Sequence, residues 1–312
     1  MPHRSWTSRN SGIHPPKLHD NLLGMIGNTP LVRLSGVTRD LPAEVEVWAK
    51  LEFMNPGGSV KDRPARQIIL DAIAQGLLGQ GQRLNDATSG NTGIAYAMLG
   101  AALDIPVTLV MPGNTSEQRK RVVTAFGAEI IASSEMEGSD GAITLVREIL
   151  EADTEGNYYY ADQYSNPSNP LAHTLTTAPE IWKQTDARVT HFVACTGTSG
   201  TIMGTGRGLK GFSKEIQIIG AQPADAFHGL EGLKHMPSSI VPQIYDESLL
   251  DEIRWIETEA GWDMAEQLAV DEGIAAGNSG GANVVAALQV ASTLEKGVVV
   301  TVICDHADRY MD

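Results

Sequence analysis

The sequence predicts an α/β protein of two lobes, each a mainly parallel twisted sheet flanked by helices, with a cleft between them. Three observations predict it. Strand-like apolar runs alternate with helical periods from residue 28 to residue 303, the signature of βαβ units. A turn-rich link, Ser165-Asn-Pro-Ser-Asn-Pro170, divides that alternation into two sets. The chain has 312 residues, of which 42% are hydrophobic and 20% charged, enough to build two cores.

Taken in order, residues 1–20 are polar and proline-containing and lack the apolar stretch of a secretory signal, so they read as a flexible arm. Leu31–Leu34 and Val45–Leu51 read as strands. The turn Asn55-Pro-Gly-Gly58 follows, and then an amphipathic helix to about Leu78, with Ile68, Ile69, Ala72, Ile73 and Leu77 on one face. Ser59 is its expected cap, and Asp62 three residues on completes a box-like pattern. Arg83–Ala87, Val107–Met111, Glu129–Ala132 and Tyr158–Ala161 read as strands. Helices are expected over Ile94–Leu103, from Ser116 to a stop at Gly127, and over Asp140–Ala152. Past the link, one helix to about Gln184 leads to strand Phe192–Cys195, a glycine loop that opens a helix, and strand Ile216–Ala221. A looser region with His228, Gly229 and Pro237 precedes two helices around Gly277–Gly281 and a last strand, Val298–Ile303. Residues 54–166 form the smaller, mobile lobe in this reading; 21–53 with 167–312 form the larger.

Composition narrows the function. A net charge of −15 argues against a nucleic-acid partner, which needs clustered Lys and Arg. No apolar run approaches a membrane span. The two cysteines, Cys195 and Cys304, each end an apolar strand and make neither a disulfide framework nor a zinc pattern. They read as free thiols of a reducing, cytoplasmic compartment, and no metal site is expected.

Four loops carry the chemistry. Lys61 follows a glycine turn at a helix N-terminus, where positive partial charge disfavours an ammonium. In open α/β sheets ligands sit beyond the carboxyl ends of strands, and three further loops occupy such places. Thr88-Ser89-Gly90-Asn91-Thr92-Gly93 offers hydroxyls, an amide and bare N–H groups at a helix start, suited to a carboxylate. Gly197-Thr198-Ser199-Gly200-Thr201 does the same again and suits a phosphate monoester. It is neither a Walker loop nor a dinucleotide fingerprint. Gly277–Gly281 presents Ser279 among glycines. A lysine becomes a useful amine by condensing with a carbonyl, and a cofactor that carries both an aldehyde and a phosphate is pyridoxal 5′-phosphate.

The chain resembles the cysteine synthases (O-acetylserine sulfhydrylases) of the β-family, fold type II, of pyridoxal-phosphate enzymes, most of all the B isoform. The landmarks are Ile26-Gly-Asn-Thr-Pro-Leu31, Asn55-Pro-Gly-Gly-Ser-Val-Lys-Asp-Arg63, Ala87-Thr-Ser-Gly-Asn-Thr-Gly93, Asp162-Gln-Tyr-Ser-Asn-Pro167, Pro179-Glu-Ile181, Gly197–Thr201 and Cys304-Asp305 with Asp308-Arg309-Tyr310. The resemblance implies that Lys61 forms the Schiff base and acts as general base, and that Asn91 bonds the cofactor's ring oxygen. It implies that Gly197, Thr198, Ser199, Gly200 and Thr201 cup its phosphate and that Ser279 faces its pyridine nitrogen. Thr88, Ser89, Gly90, Thr92 and Gln163 would take the substrate carboxylate. The implied reaction is a β-replacement that makes L-cysteine from an activated serine, O-acetylserine in the first instance, and sulfide or thiosulfate, through α-aminoacrylate. A homodimer is implied, with serine acetyltransferase as a further partner. The alternatives are a cystathionine β-synthase-like enzyme, a serine/threonine dehydratase, or a chain that serves chiefly to bind serine acetyltransferase. Two departures stand out: Ala178 where the family has glycine, and Gly229-Leu-Glu-Gly-Leu-Lys-His-Met-Pro237 at the entrance, where Lys234 and His235 carry the positive charge.

Overall fold

A computed structural model describes residues 21–79, 81–88 and 90–310; the expected arm, 1–20, lies outside them. Ten strands and nine α-helices alternate among these residues: β1 Leu31–Arg33, β2 Val45–Leu51, α1 Asp62–Ala74, β3 Arg83–Ala87, α2 Asn91–Leu103, β4 Val107–Pro112, α3 Glu117–Ala125, β5 Glu129–Ser133, α4 Gly138–Ala152, β6 Tyr158–Tyr160, α5 Ser168–Leu175, α6 Thr177–Gln184, β7 His191–Cys195, α7 Gly200–Phe212, β8 Gln217–Pro223, β9 Glu252–Ile256, α8 Thr258–Glu272, α9 Asn278–Ala291 and β10 Gly297–Ile303. They build two sheets, of six strands in the order β1-β2-β10-β7-β8-β9 and of four in the order β5-β4-β3-β6. Every pairing is parallel except β1 with β2.

Both sheets are buried on both faces, as parallel sheets require. In β10, Val299 joins the core that contains Leu268, Ala282 and Val284 of α8 and α9, while Val298, Val300 and Val302 join Ile181, Ile202 and Met203 of α6 and α7. In β4, Leu109 and Met111 pack with Ile68, Ile69 and Leu99, and Val110 packs with Ala142, Ile143 and Val146. One residue to each side in turn is the strand's two-residue period. Helix α2 is buried from Thr92 to Gly100, so it has no polar stripe to present.

Three expectations are corrected. Helix α1 ends at Ala74, not Leu78, because Gly76 turns the chain at φ +71°. Leu77 is consequently exposed and Leu78 takes the core position instead, while Ile73, still within the helix, is exposed rather than on the core face. The single helix expected after the link is two, broken at Thr176. Pro179 is the cause: in a continuous helix its ring would strike the Leu175 carbonyl four residues back. The looser region before Gly277 contains a strand, β9, whose Glu-Ile-Arg-Trp-Ile alternation is that of a sheet edge with Trp255 half exposed.

Candidate active site

Lys61 is placed by the end of β10. The backbone at Ser59 forms an antiparallel bridge with Asp305, and the Val60 N–H donates to the Cys304 carbonyl at 2.8 Å. This extended pairing delays the helix, so Lys61 is the residue just before α1 and Asp62 is its first residue. The expected Ser59–Asp62 box therefore does not form. Ser59 Oγ accepts from the Lys61 N–H at 3.2 Å, and Asp62 Oδ2 accepts from the Gly57 N–H at 2.5 Å. A side chain at Gly57 would collide with that carboxylate, which burial pushes up to about 7.

Beneath Lys61 lies a buried ionic cluster. Arg63 Nε and Nη2 each donate to a Glu52 oxygen at 2.7 Å, and Nη1 donates to Glu180 Oε1 at 2.7 Å. Lys50 Nζ reaches Glu180 Oε2 at 2.7 Å. Thr29 Oγ1 and Asn55 Nδ2 donate to Glu52 at 2.7 and 2.9 Å. Two cations face two carboxylates with the remaining donors and acceptors occupied, the condition under which buried charge is tolerated. Burial raises the Glu52 pKa, but the Arg63 charge and hydrogen bonds outweigh it and hold the group at about 2.

The sequence-predicted loops converge on one cleft of about 360 Å³. Lys61, Thr88, Gly90, Asn91, Thr92, Gln163, Gly197, Thr198, Ser199, Gly200, Thr201 and Ser279 all line it; Ser89 lies outside the described residues. Thr88 Oγ1 accepts from the N–H groups of Gly90 and Gly93 at 3.3 and 3.2 Å, and Thr92 Oγ1 donates to Gln163 Oε1 at 2.8 Å. Those hydroxyls hold the loop's shape at the start of α2. Asn91 Nδ2 donates to Asp305 Oδ2 at 2.6 Å. Ser279 stands buried in the first turn of α9, and from the same helix Asn283 Nδ2 donates to Cys304 Sγ at 3.3 Å. Both cysteines are free and line the cleft. Burial pushes the Cys304 thiol up to about 11, against the pull of the Lys61 charge, so it is a thiol and not a thiolate at neutral pH.

Sequence reasoning missed the residues that support the two loops. Asn169 Nδ2 donates to the Gln163 carbonyl at 2.7 Å and to Thr198 Oγ1 at 3.2 Å, and so joins the carboxylate loop to the phosphate loop. His173, which burial holds neutral with a pKa of about 3, contacts Thr177 Oγ1 at 2.9 Å and Thr201 Oγ1 at 3.4 Å. Both sit in or just after the Asn/Pro-rich link, which composition marks only as a turn. His235, expected at the entrance, does not line the cleft; its ring lies 5.7 Å from that of Trp255.

A phosphate ester fits the Gly197–Thr201 cradle. It opens the thirteen-residue helix α7, where N–H groups point outward. Ser199, at φ +70°, keeps a buried hydroxyl with no hydrogen-bond partner among the described residues. A side chain at Gly197 would strike the Gly232 carbonyl, and one at Gly200 would strike Asn169. Lys61 faces the same cleft, which gives an amine for an aldehyde.

The comparison with known proteins agrees. The family described as "Pyridoxal-phosphate dependent enzyme" matches residues 22–305. The chain belongs to that family. It is 52% identical over 300 residues to a cysteine synthase of Aquifex aeolicus, covering 95% of this chain and 91% of that one. It is 44% identical over 286 residues to cysteine synthase B of Escherichia coli, with 92% of each chain covered. Among solved structures, a cysteine synthase from Entamoeba histolytica superposes with a TM-score of 0.90 at 35% identity, covering 99% of this chain and 92% of that one. The cofactor of this pyridoxal-phosphate dependent enzyme is pyridoxal phosphate, and its fold is that of the structurally characterised cysteine synthases. Among the described residues no helix is long and apolar enough to cross a membrane.

Proposed function

We propose that this enzyme makes L-cysteine by replacing the acetoxy group of O-acetylserine with sulfide. One observation carries the reading. Lys61 shares a cleft with the Thr88–Thr92 and Gly197–Thr201 loops in a chain 52% identical to a cysteine synthase over 95% of its length. When bound, pyridoxal phosphate supplies an aldehyde for the lysine and a conjugated ring that stabilises negative charge at the substrate Cα. Lys61 would hold the aldehyde carbon, Gly197–Thr201 the phosphate, Asn91 the ring oxygen and Ser279 the ring nitrogen. A hydroxyl there, unlike a carboxylate, would not hold that nitrogen protonated, which would favour loss of a β-substituent over a long-lived carbanion.

The chain's own groups do the rest. The loop Thr88, Ser89, Gly90 and Thr92, with Gln163, would orient the substrate carboxylate at the start of α2. Lys61 Nζ takes the Cα proton as general base and returns it after sulfur adds at Cβ. Residues 54–166 would close as the smaller lobe over the bound carboxylate and exclude water. Lys61→Ala tests the reading. The variant should lose the visible absorbance of the lysine-linked cofactor and at least roughly a thousandfold in cysteine formation. Borohydride should tag Lys61 with a pyridoxyl group in the wild type. A variant that makes cysteine within tenfold of the wild-type rate sinks the assignment.

The chain also has a face suited to a second copy of itself. Helices α1 and α5 pack together, and Leu70, Ile73, Leu171 and Leu175 on them, with Leu77 just past α1, are exposed, apolar surface that self-association would cover. Light scattering should return twice the 33.4 kDa of one chain. The carboxylate loop would also accept the C-terminal carboxylate of a serine acetyltransferase tail.

A further inference from the structure

Among the described residues, five charged side chains stand toward the mouth of the cleft, and the two cations among them are both already answered. Arg119 of α3 lies 2.6 Å from Glu231, and Lys234 lies 3.7 Å from Asp140 of α4. The two pairs cross the cleft in opposite senses: one cation comes from the side of the four-stranded sheet, the other from the segment after β8. Glu137 lines the same opening, so among the described residues carboxylates outnumber cations there. Lys234 is also held from below, by the Tyr164 ring at 5.3 Å. Its backbone N–H donates to the Thr196 carbonyl at 2.8 Å, immediately before the phosphate loop. Deeper in, Lys61 faces the buried Asp305, and the Cys304 thiol is neutral.

We propose that Glu231 and Asp140 are specificity-determining residues that tune the cleft to a small monoanionic sulfur donor, hydrosulfide, and against dianionic donors. The inference rests on the cysteine-forming reading above. With hydrosulfide, a C–S bond forms at Cβ, the C–O bond breaks, and the electron pair leaves with acetate; the products are cysteine and acetate. With thiosulfate the same exchange gives S-sulfocysteine and acetate. A dianion that enters this mouth meets carboxylates on both sides and cations already engaged, whereas hydrosulfide carries half the charge and is smaller.

The test uses the holoenzyme with O-acetylserine and compares kcat/KM for sulfide and for thiosulfate in the wild type, Glu231→Gln and Asp140→Asn. The wild type should favour sulfide. Each variant should raise kcat/KM for thiosulfate roughly five- to twentyfold, as expected for removing one negative charge within about 8 Å of a dianion. Sulfide, with half the charge, should gain only roughly two- to fourfold, and both gains should shrink as salt is raised. A wild type that uses the two donors equally, or variants that leave the ratio unmoved at low salt, overturns the inference. Acetate release without any sulfur donor separates the two readings. If O-acetylserine yields none, the cysteine-forming reading fails; if acetate is released and the donor ratio stays fixed, only the role of the mouth fails.

Discussion

At the scale of single residues, the most telling side chain is Arg63, which touches no part of the cleft. Its planar fork is held by Glu52 on one side and Glu180 on the other, and a lysine could satisfy one of them at most. Gly27 wraps it at φ +94°, where a side chain would press on its guanidinium. Arg63→Lys should therefore destabilise the fold by about 3 kcal/mol, because Glu52 is left buried with incomplete compensation. The pH dependence gives the sign. Glu52 has a folded pKa of about 2 against an ordinary 4.5. Its contribution is fully present above 4.5 and is lost as the pH falls toward 2. The gap between wild type and Arg63→Lys in urea unfolding should thus be wide at pH 7 and narrow at pH 3. An equal gap at both would remove Glu52 from the account.

At the scale of elements, α7 meets its neighbours through one stripe of glycines four residues apart. A side chain at Gly204 would strike the Pro170 carbonyl, and one at Gly208 would strike the Ala178 methyl. This explains the departure at Ala178: residue 178 is fully buried, and its methyl fits because residue 208 has none. Gly204→Ala should cost about 2–3 kcal/mol of overpacking against backbone that cannot move aside, and it should loosen the phosphate loop that α7 carries. Thermal unfolding with and without added cofactor reads both; an unchanged midpoint would mean that α5 shifts freely. The stripe was legible in the sequence as spacing, yet nothing local says which helix it faces. The same holds for the rest. The strand–turn–helix loops at Lys61, Thr88 and Gly197 were legible because glycine, hydroxyls and apolar runs are local signals. The break at Thr176 was missed, although Pro179 carries a local signal for it. The Arg63 cluster was present only as separate landmarks at 27–29, 63 and 180, since a long-range ion pair leaves no local trace. Asn169 and His173 look like ordinary turn and helix residues until the two sheets are brought together.

At the scale of the whole molecule, the two sheets meet at Asp305. Its carboxylate accepts from Asn91 Nδ2 and from Tyr310 Oη at 2.6 Å each. Its carbonyl accepts from the Gly277 N–H at 3.1 Å, and its backbone bridges Ser59. One residue thereby ties the start of α2, the Lys61 segment, the Ser279 loop and the C-terminal turn. Burial raises its pKa, so the ties have to outweigh the cost of a buried carboxylate, as a junction with several donors can. Gln118 and Arg119 of α3 reach the carbonyls of Asp308 and Arg309 in the same turn at 3.4 and 3.3 Å. This second seam keeps the smaller sheet near the larger one but does not fix the start of α2. Asp305→Ala should therefore free α2 selectively. Amide hydrogen exchange over Asn91–Leu103 should quicken roughly tenfold, about 1.4 kcal/mol of local stability, while Thr258–Ala291 stays as protected as before. Faster exchange in both regions would mean that Asp305 supports the core between α8, α9 and the six-stranded sheet, and no change in either would mean that the other contacts across the cleft hold α2 without it.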